Sequence, residues 1–151
     1  MRTITIALSQ FLPVGDPGGN ALTVCRVLRD AAERGAELLL MPYASAMSGE
    51  RCRAHWTVHL PARASDNGAF VAACNLPFPA KNGVPRGGGM AVFDPKGSSI
   101  ASYYGAEEHT LLCTLSGPLP RELPPGDMHH ISYFDRKRTE LFRSAARPGI
   151  I

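Results

Sequence analysis

The residues best equipped for chemistry lie between positions 43 and 59. Cys52 sits in the run ERCRAH, and the charges of Arg51 and Arg53 would favour its thiolate, the reactive form of a cysteine. A working thiol also needs a base and a residue to orient that base, and neither is identifiable nearby. The plainer reading is a structural cysteine. Cys52, His55 and His59 fall at i, i+3 and i+7. On a helix they would share a face and could offer three zinc ligands, with the fourth drawn from Met128-His129-His130. Three ligands on one helix leave no obvious fourth nearby, so incidental spacing beside a helix start is the better account. Tyr43 follows an apolar run that ends at Pro42, and chemistry is often placed just past a strand's C-terminal end. A phenol with an ordinary pKa of about 10 is a proton donor at neutral pH.

The surrounding pattern defines the elements that must position these groups. RTITIALS (2–9) alternates, with Ile4, Ile6 and Leu8 on one side, which predicts a strand with one buried face. After the turn-rich FLPVGDPGG, Asn20 is expected to cap a helix. Ala21, Val24, Cys25, Leu28, Ala31 and Ala32 mark its apolar face, and Gly35 stops it. ELLLM (37–41) is continuously apolar, like a parallel strand covered on both faces, so residues 1–43 read as a βαβ unit. Residues 44–53 look irregular, and a helix is expected from His55 to Asn67 with Pro61 disturbing its middle. AFVAACN (69–75) reads as a strand and residues 76–89 as a long loop. Residues 90–94 and 98–104 form a hairpin about DPKG, residues 109–115 a further strand, and residues 135–145 a last helix. Trp56 reads as a packing anchor, and Arg63, Asp66 and Asn67 as hydrogen-bonding residues that fix the second helix.

Composition sets limits. With 151 residues, 44% hydrophobic and 19% charged, the chain suits one globular domain spanning 1–151. A net charge of +3, dense only at Arg136-Lys137-Arg138, is too little for a nucleic-acid surface, so no nucleic-acid partner is expected. No apolar run approaches the roughly 20 residues that span a bilayer, so no membrane association is expected either. TITIALSQFL is short and alternating and no small-residue cleavage site follows it, so it does not read as a signal peptide. Cys25, Cys52, Cys74 and Cys113 are far apart, which reads as free thiols in a cytoplasmic protein.

Taken together, RTITIALSQFLPVGD, AAERGAELLLMP, LPARASDNGAFVAACN, GGGMAVFDPKGSSIAS and ISYFDRKRTELF resemble, in order, blocks of the nitrilase or carbon–nitrogen hydrolase superfamily. The opening unit matches over 1–43 and the second-half blocks over 54–145. The resemblance implies an α/β fold, an α-β-β-α sandwich in truncated form. It also implies a Glu–Lys–Cys triad. The cysteine attacks an amide or nitrile carbon, the glutamate is its base, and the lysine holds the developing oxyanion.

The family's glutamate usually follows the proline that ends the second strand, and here that position is Tyr43. The stretch that carries the family's lysine and nucleophile motif is reduced to about ten residues, and ERCRAHW does not match that motif. No catalytic, cofactor-binding or metal residue is therefore assigned. The expectation is a family member without its chemistry. The alternatives are an active hydrolase with a rearranged cysteine site, or a partner-binding module. A homo-oligomer is expected, because strands left without cover expose edges, and a small amide or nitrile remains the ligand the resemblance implies.

Overall fold

The computed structural model describes residues 3–42 and 47–117. Tyr43, the expected helix at 135–145, Met128-His129-His130 and the basic cluster at 136–138 lie outside the described residues.

Strand β1 (Thr3–Gln10) leads to helix α1 (Pro17–Glu33) and strand β2 (Leu38–Leu40). β2 lies parallel to β1, with Ile6 opposite Leu38, as the βαβ reading requires. The helix starts earlier than the sequence suggests. Asp16 is the cap, accepting hydrogen bonds from the Gly18 and Gly19 amides. Asn20 instead exchanges two hydrogen bonds with the Val14 backbone, which holds the entry loop. The end is as expected, with Gly35 in the left-handed region at φ 85°.

Helix α2 (Gly49–Asn67) also starts early. Ser48 caps it by accepting from the Arg51 amide, so Cys52 lies in its first turn rather than in an irregular segment. The helix runs through Pro61 and ends on left-handed Gly68. Then come β3 (Val71–Cys74), β4 (Pro77–Lys81), β5 (Val84–Gly87), β6 (Met90–Phe93), β7 (Ser99–Tyr103) and β8 (His109–Ser116). β4 and β5 form a two-stranded hairpin where a loop was expected, and Asn82 and Gly83, both with positive φ, make its turn.

The described strands form two three-stranded sheets, ordered β2-β1-β8 and β3-β6-β7, besides that hairpin. Ile6 and Leu8 of the first sheet pack on Met90 and Val92 of the second, with Cys113, Leu40 and Cys74 around them. Alternation turns Ala91 and Phe93 to the outer face, where they meet Ala64, Trp56 and Leu60 of α2. α1 lies over the outer face of the first sheet, where Arg26 bonds Glu108 and Arg34 reaches the Thr110 carbonyl. The order is therefore helix, sheet, sheet, helix.

Two burial expectations need correction. β1 is buried on both faces from Ile6 onward: Ile6 and Leu8 pack on the second sheet, and Ala7 and Ser9, which alternate to the other face, are fully buried too. β2 is not covered on both faces. Among the described residues it is an edge strand, and Leu38 is 46% exposed.

Candidate functional site

The parallel strands β1 and β2 end on the same side of the sandwich, and three loops converge there. Gln10, the last residue of β1, is fully buried. Its Nε2 donates to the carbonyls of Gly105 (2.9 Å) and Glu107 (2.7 Å), and its Oε1 accepts from the Gly89 amide (2.8 Å). One side chain thus ties a strand end to two loops. Asn75, also fully buried, follows β3 and donates its own amide to the Gly89 carbonyl.

Glycine is required at this junction. A Cβ on Gly88 would lie 1.8 Å from the Gly105 carbonyl oxygen, and one on Gly87 would lie 2.2 Å from the Leu76 oxygen, both at positive φ. The run PRGGGM is therefore a point where backbones touch.

Cys52 points into this junction. It is fully buried, accepts a hydrogen bond from Asn75 Nδ2 at 3.3 Å, and has its thiol 4.0 Å from the Met47 carbonyl. Burial raises its pKa, and the Asn75 hydrogen bond offsets that only in part. The flanking arginines do not activate the thiol as their sequence position suggests. Burial decides the state of the thiol, and the charge of Arg53 acts instead on Tyr104, whose pKa burial likewise raises. Cys74 donates to the Ser9 carbonyl at 3.6 Å, and burial pushes its thiol up to about 12. Both thiols are protonated at neutral pH and bonded to amide groups.

The zinc alternative raised by the spacing of Cys52, His55 and His59 finds no support in the geometry. The buried line of α2 runs Cys52, Trp56, Leu60, Ala64 in four-residue steps, turning away from His55 and His59. The two imidazoles are exposed and contact each other, with ring centroids 4.3 Å apart. Among the described residues no group of three or more His, Cys, Asp or Glu could hold a metal ion. Trp56 is the packing anchor expected, with its ring 6.3 Å from that of Tyr104. Asn67 bonds the Arg63 carbonyl of its own helix, while Arg63 and Asp66 are exposed.

Two features here were not singled out from the sequence. The Tyr103 hydroxyl donates to Glu107 Oε2, and its ring stacks on His109 at 4.0 Å. Burial and that hydrogen bond push Tyr103 up to about 12, while the same hydrogen bond lowers Glu107. The other feature is a cleft of about 350 Å³ beside the β2 edge, lined by Leu40, Met41, Trp56, Ala72, Ala73 and Cys74.

The sequence profile of the carbon-nitrogen hydrolase family matches residues 20–119, most of the chain. The chain belongs to the carbon-nitrogen hydrolase family. No curated protein sequence matches it. Solved structures similar to it include a carbon-nitrogen hydrolase from Helicobacter pylori G27, at 21% identity over 83% of this chain and 46% of that one, with a TM-score of 0.48. They also include two mutant forms of the amidase from Nesterenkonia sp. AN1. One, in complex with butyramide, has 28% identity, covers 82% of this chain and 49% of that one, and has a TM-score of 0.30. The other, in complex with acrylamide, has 27% identity, covers 91% and 44%, and has a TM-score of 0.39. The carbon-nitrogen hydrolase chain described here spans about half the length of these structures. Among its described residues no helix is long and apolar enough to cross a membrane, and the four cysteines are free thiols.

Proposed function

We propose that this chain retains the carbon-nitrogen hydrolase architecture without the hydrolase chemistry, and that it works by assembling with itself. The observation that carries the first half is the state of the thiols. Cys52 accepts from an amide in a fully buried junction, and Cys74 donates to a backbone carbonyl with its pKa near 12. A nucleophilic cysteine needs the opposite arrangement, with exposure, a neighbouring base and a depressed pKa. Tyr43, standing where the family resemblance expects the glutamate, supports the same reading. Assembly is supported by the apolar surface left bare. Leu22, Leu28 and Val14 are more than half exposed, and Leu38 and Met41 are exposed on and just after β2, which is an edge strand among the described residues.

The purified chain is expected to hydrolyse no simple amide, carbamoyl compound or nitrile above background. Turnover that disappears in Cys52→Ala would overturn this and establish a rearranged cysteine site.

The cleft beside β2 favours a second reading, in which the chain binds a small amide or nitrile without cleaving it. The lining is mostly apolar, with the Cys74 thiol as a polar group and the chain's only tryptophan in its wall. Titration with a short aliphatic amide should change Trp56 fluorescence saturably. A linear response up to millimolar ligand would remove this reading.

A further inference from the structure

Helix α2 separates Cys52 from the two histidines that share it. Cys52 turns into the sandwich, while His55 and His59 stand in solvent, with ring centroids 4.3 Å apart and ring planes tilted by 45°. Among the described residues neither ring makes a hydrogen bond or an ion pair, so the protein leaves their nitrogen lone pairs available. We propose that His55 and His59, without Cys52, form a two-point clamp for a divalent late transition metal, with water completing the ion's coordination.

The spacing supplies the bite. Residues at i and i+4 are neighbours on one face of a helix. A ligating imidazole nitrogen lies about 2 Å from its ion, so two rings that share one must nearly touch. His55 and His59 already do, which leaves little side-chain ordering to be done on binding. The donor type narrows the ion. Neutral imidazole is the commonest metal ligand, and it suits copper, nickel and zinc rather than calcium or magnesium.

The helix itself gives the clamp a consequence. Pro61 lies inside α2 and has no N–H, so the Thr57 carbonyl loses its usual helical donor four residues on. The Thr57 hydroxyl is turned back to the carbonyls of Arg53 and Ala54. The span from His55 to His59 brackets Thr57. A metal held across it braces the turn that the proline weakens, and an ion that binds only the folded turn stabilises it. Arg51 and Arg63 stand exposed one turn beyond either histidine. Their charges oppose the cation through water, so the affinity is modest and the ion exchanges readily.

The inference is independent of the assembly reading above. Calorimetric titration of the full chain with nickel, free of any affinity tag and at about pH 7.5, tests it. Saturable binding of one ion per chain is expected. His55→Ala or His59→Ala should each weaken it about tenfold or more, because a single imidazole cannot chelate. Both side chains are exposed, so the circular dichroism spectrum should persist in either variant. His59→Ala/Thr57→His keeps two imidazoles but sets them at i and i+2, on different faces, and should not restore binding. At a hundredfold excess over the dissociation constant, nickel should raise the thermal midpoint of the wild type by about 5 °C, and that of either alanine variant by much less. Binding should fade below about pH 6, as protons displace the metal. Cys25→Ser and His129→Ala/His130→Ala should bind as the wild type does. Binding that survives either single alanine variant, returns in the i, i+2 variant, or is lost with Cys25 or with His129 and His130 would place the metal elsewhere and overturn the clamp. The absence of saturable binding up to about 1 mM nickel would overturn it too.

Discussion

The two helices cover opposite outer faces of one sandwich, and they do so unequally. α2 drives Cys52 and Ala64 fully into the protein and packs Trp56 and Leu60 on Ala91 and Phe93. α1 buries only Val27 and Ala31 and leaves two leucines in solvent. By sequence the order should be reversed. α1 has the clear apolar periodicity, while α2 contains a proline, two histidines and three arginines. Apolar content therefore does not decide how firmly a helix docks. What decides it is whether the facing sheet offers a complementary surface. β6 supplies Phe93 and Ala91 to α2, and the close backbone contacts of Gly87 and Gly88 bring a loop against the start of that helix, where Gly89 lies beside Cys52 and Trp56.

The contrast can be broken most severely at the glycine junction. Gly88→Ala forces a methyl to within 1.8 Å of the Gly105 oxygen, and neither backbone can yield cheaply. A loss of at least about 4 kcal/mol is expected, enough to abolish a cooperative urea transition. Gly35→Ala, at φ 85° with open space around it, should cost only about 1 kcal/mol. Similar losses at the two positions would mean that the junction is not closely packed.

The helix layers come next. Phe93→Ala, beneath α2, should cost roughly 3–5 kcal/mol. Val27→Ala, beneath α1, removes less apolar volume and should cost roughly 2 kcal/mol. Equal urea midpoints for the two variants would refute the claim that α2 is the firmer layer.

Alkaline pH probes the junction's protonation. Cys74 and Tyr103 both have folded pKa values raised to about 12, above the ordinary 9.0 of a thiol and 10.0 of a phenol. Their neutral forms therefore add stability that is fully present below about pH 9. It declines as the unfolded chain ionises, and is gone above about pH 12. Thermal midpoints should fall across that window, and less steeply in Cys74→Ala/Tyr103→Phe. An unchanged slope would contradict the assignment. The smallest effect belongs to the bare face of α1, where Leu28→Lys should alter monomer stability by less than about 0.5 kcal/mol.

Much of the backbone plan was legible without coordinates. β1, α1 with its Gly35 stop, parallel β2, the hairpin about Asp94–Gly97 and β8 follow from periodicity and turn chemistry, which act over a few residues. The family was legible too, from blocks whose order survives. The β4–β5 hairpin was not, because its proline- and glycine-rich stretch is as good a loop as a strand until it pairs. The α2 cap was missed because Ser48 lies in a run of small residues with several candidate starts, although the four-residue spacing of Cys52, Trp56, Leu60 and Ala64 was there to be read.

The character of the candidate site belongs to the tertiary structure alone. By sequence Cys52 is a thiol between two arginines, and local charge argues for reactivity. In the fold it is a protonated group beneath Asn75, because burial is a long-range property set by residues 23 positions away and more. Gly87 and Gly88 likewise carry no meaning by themselves, since the backbone they make room for arrives from Leu76 and Gly105. Chain-local physics determined the elements. Which cysteine is silent, which face stays bare and where backbones touch were decided only when distant segments competed for the same space.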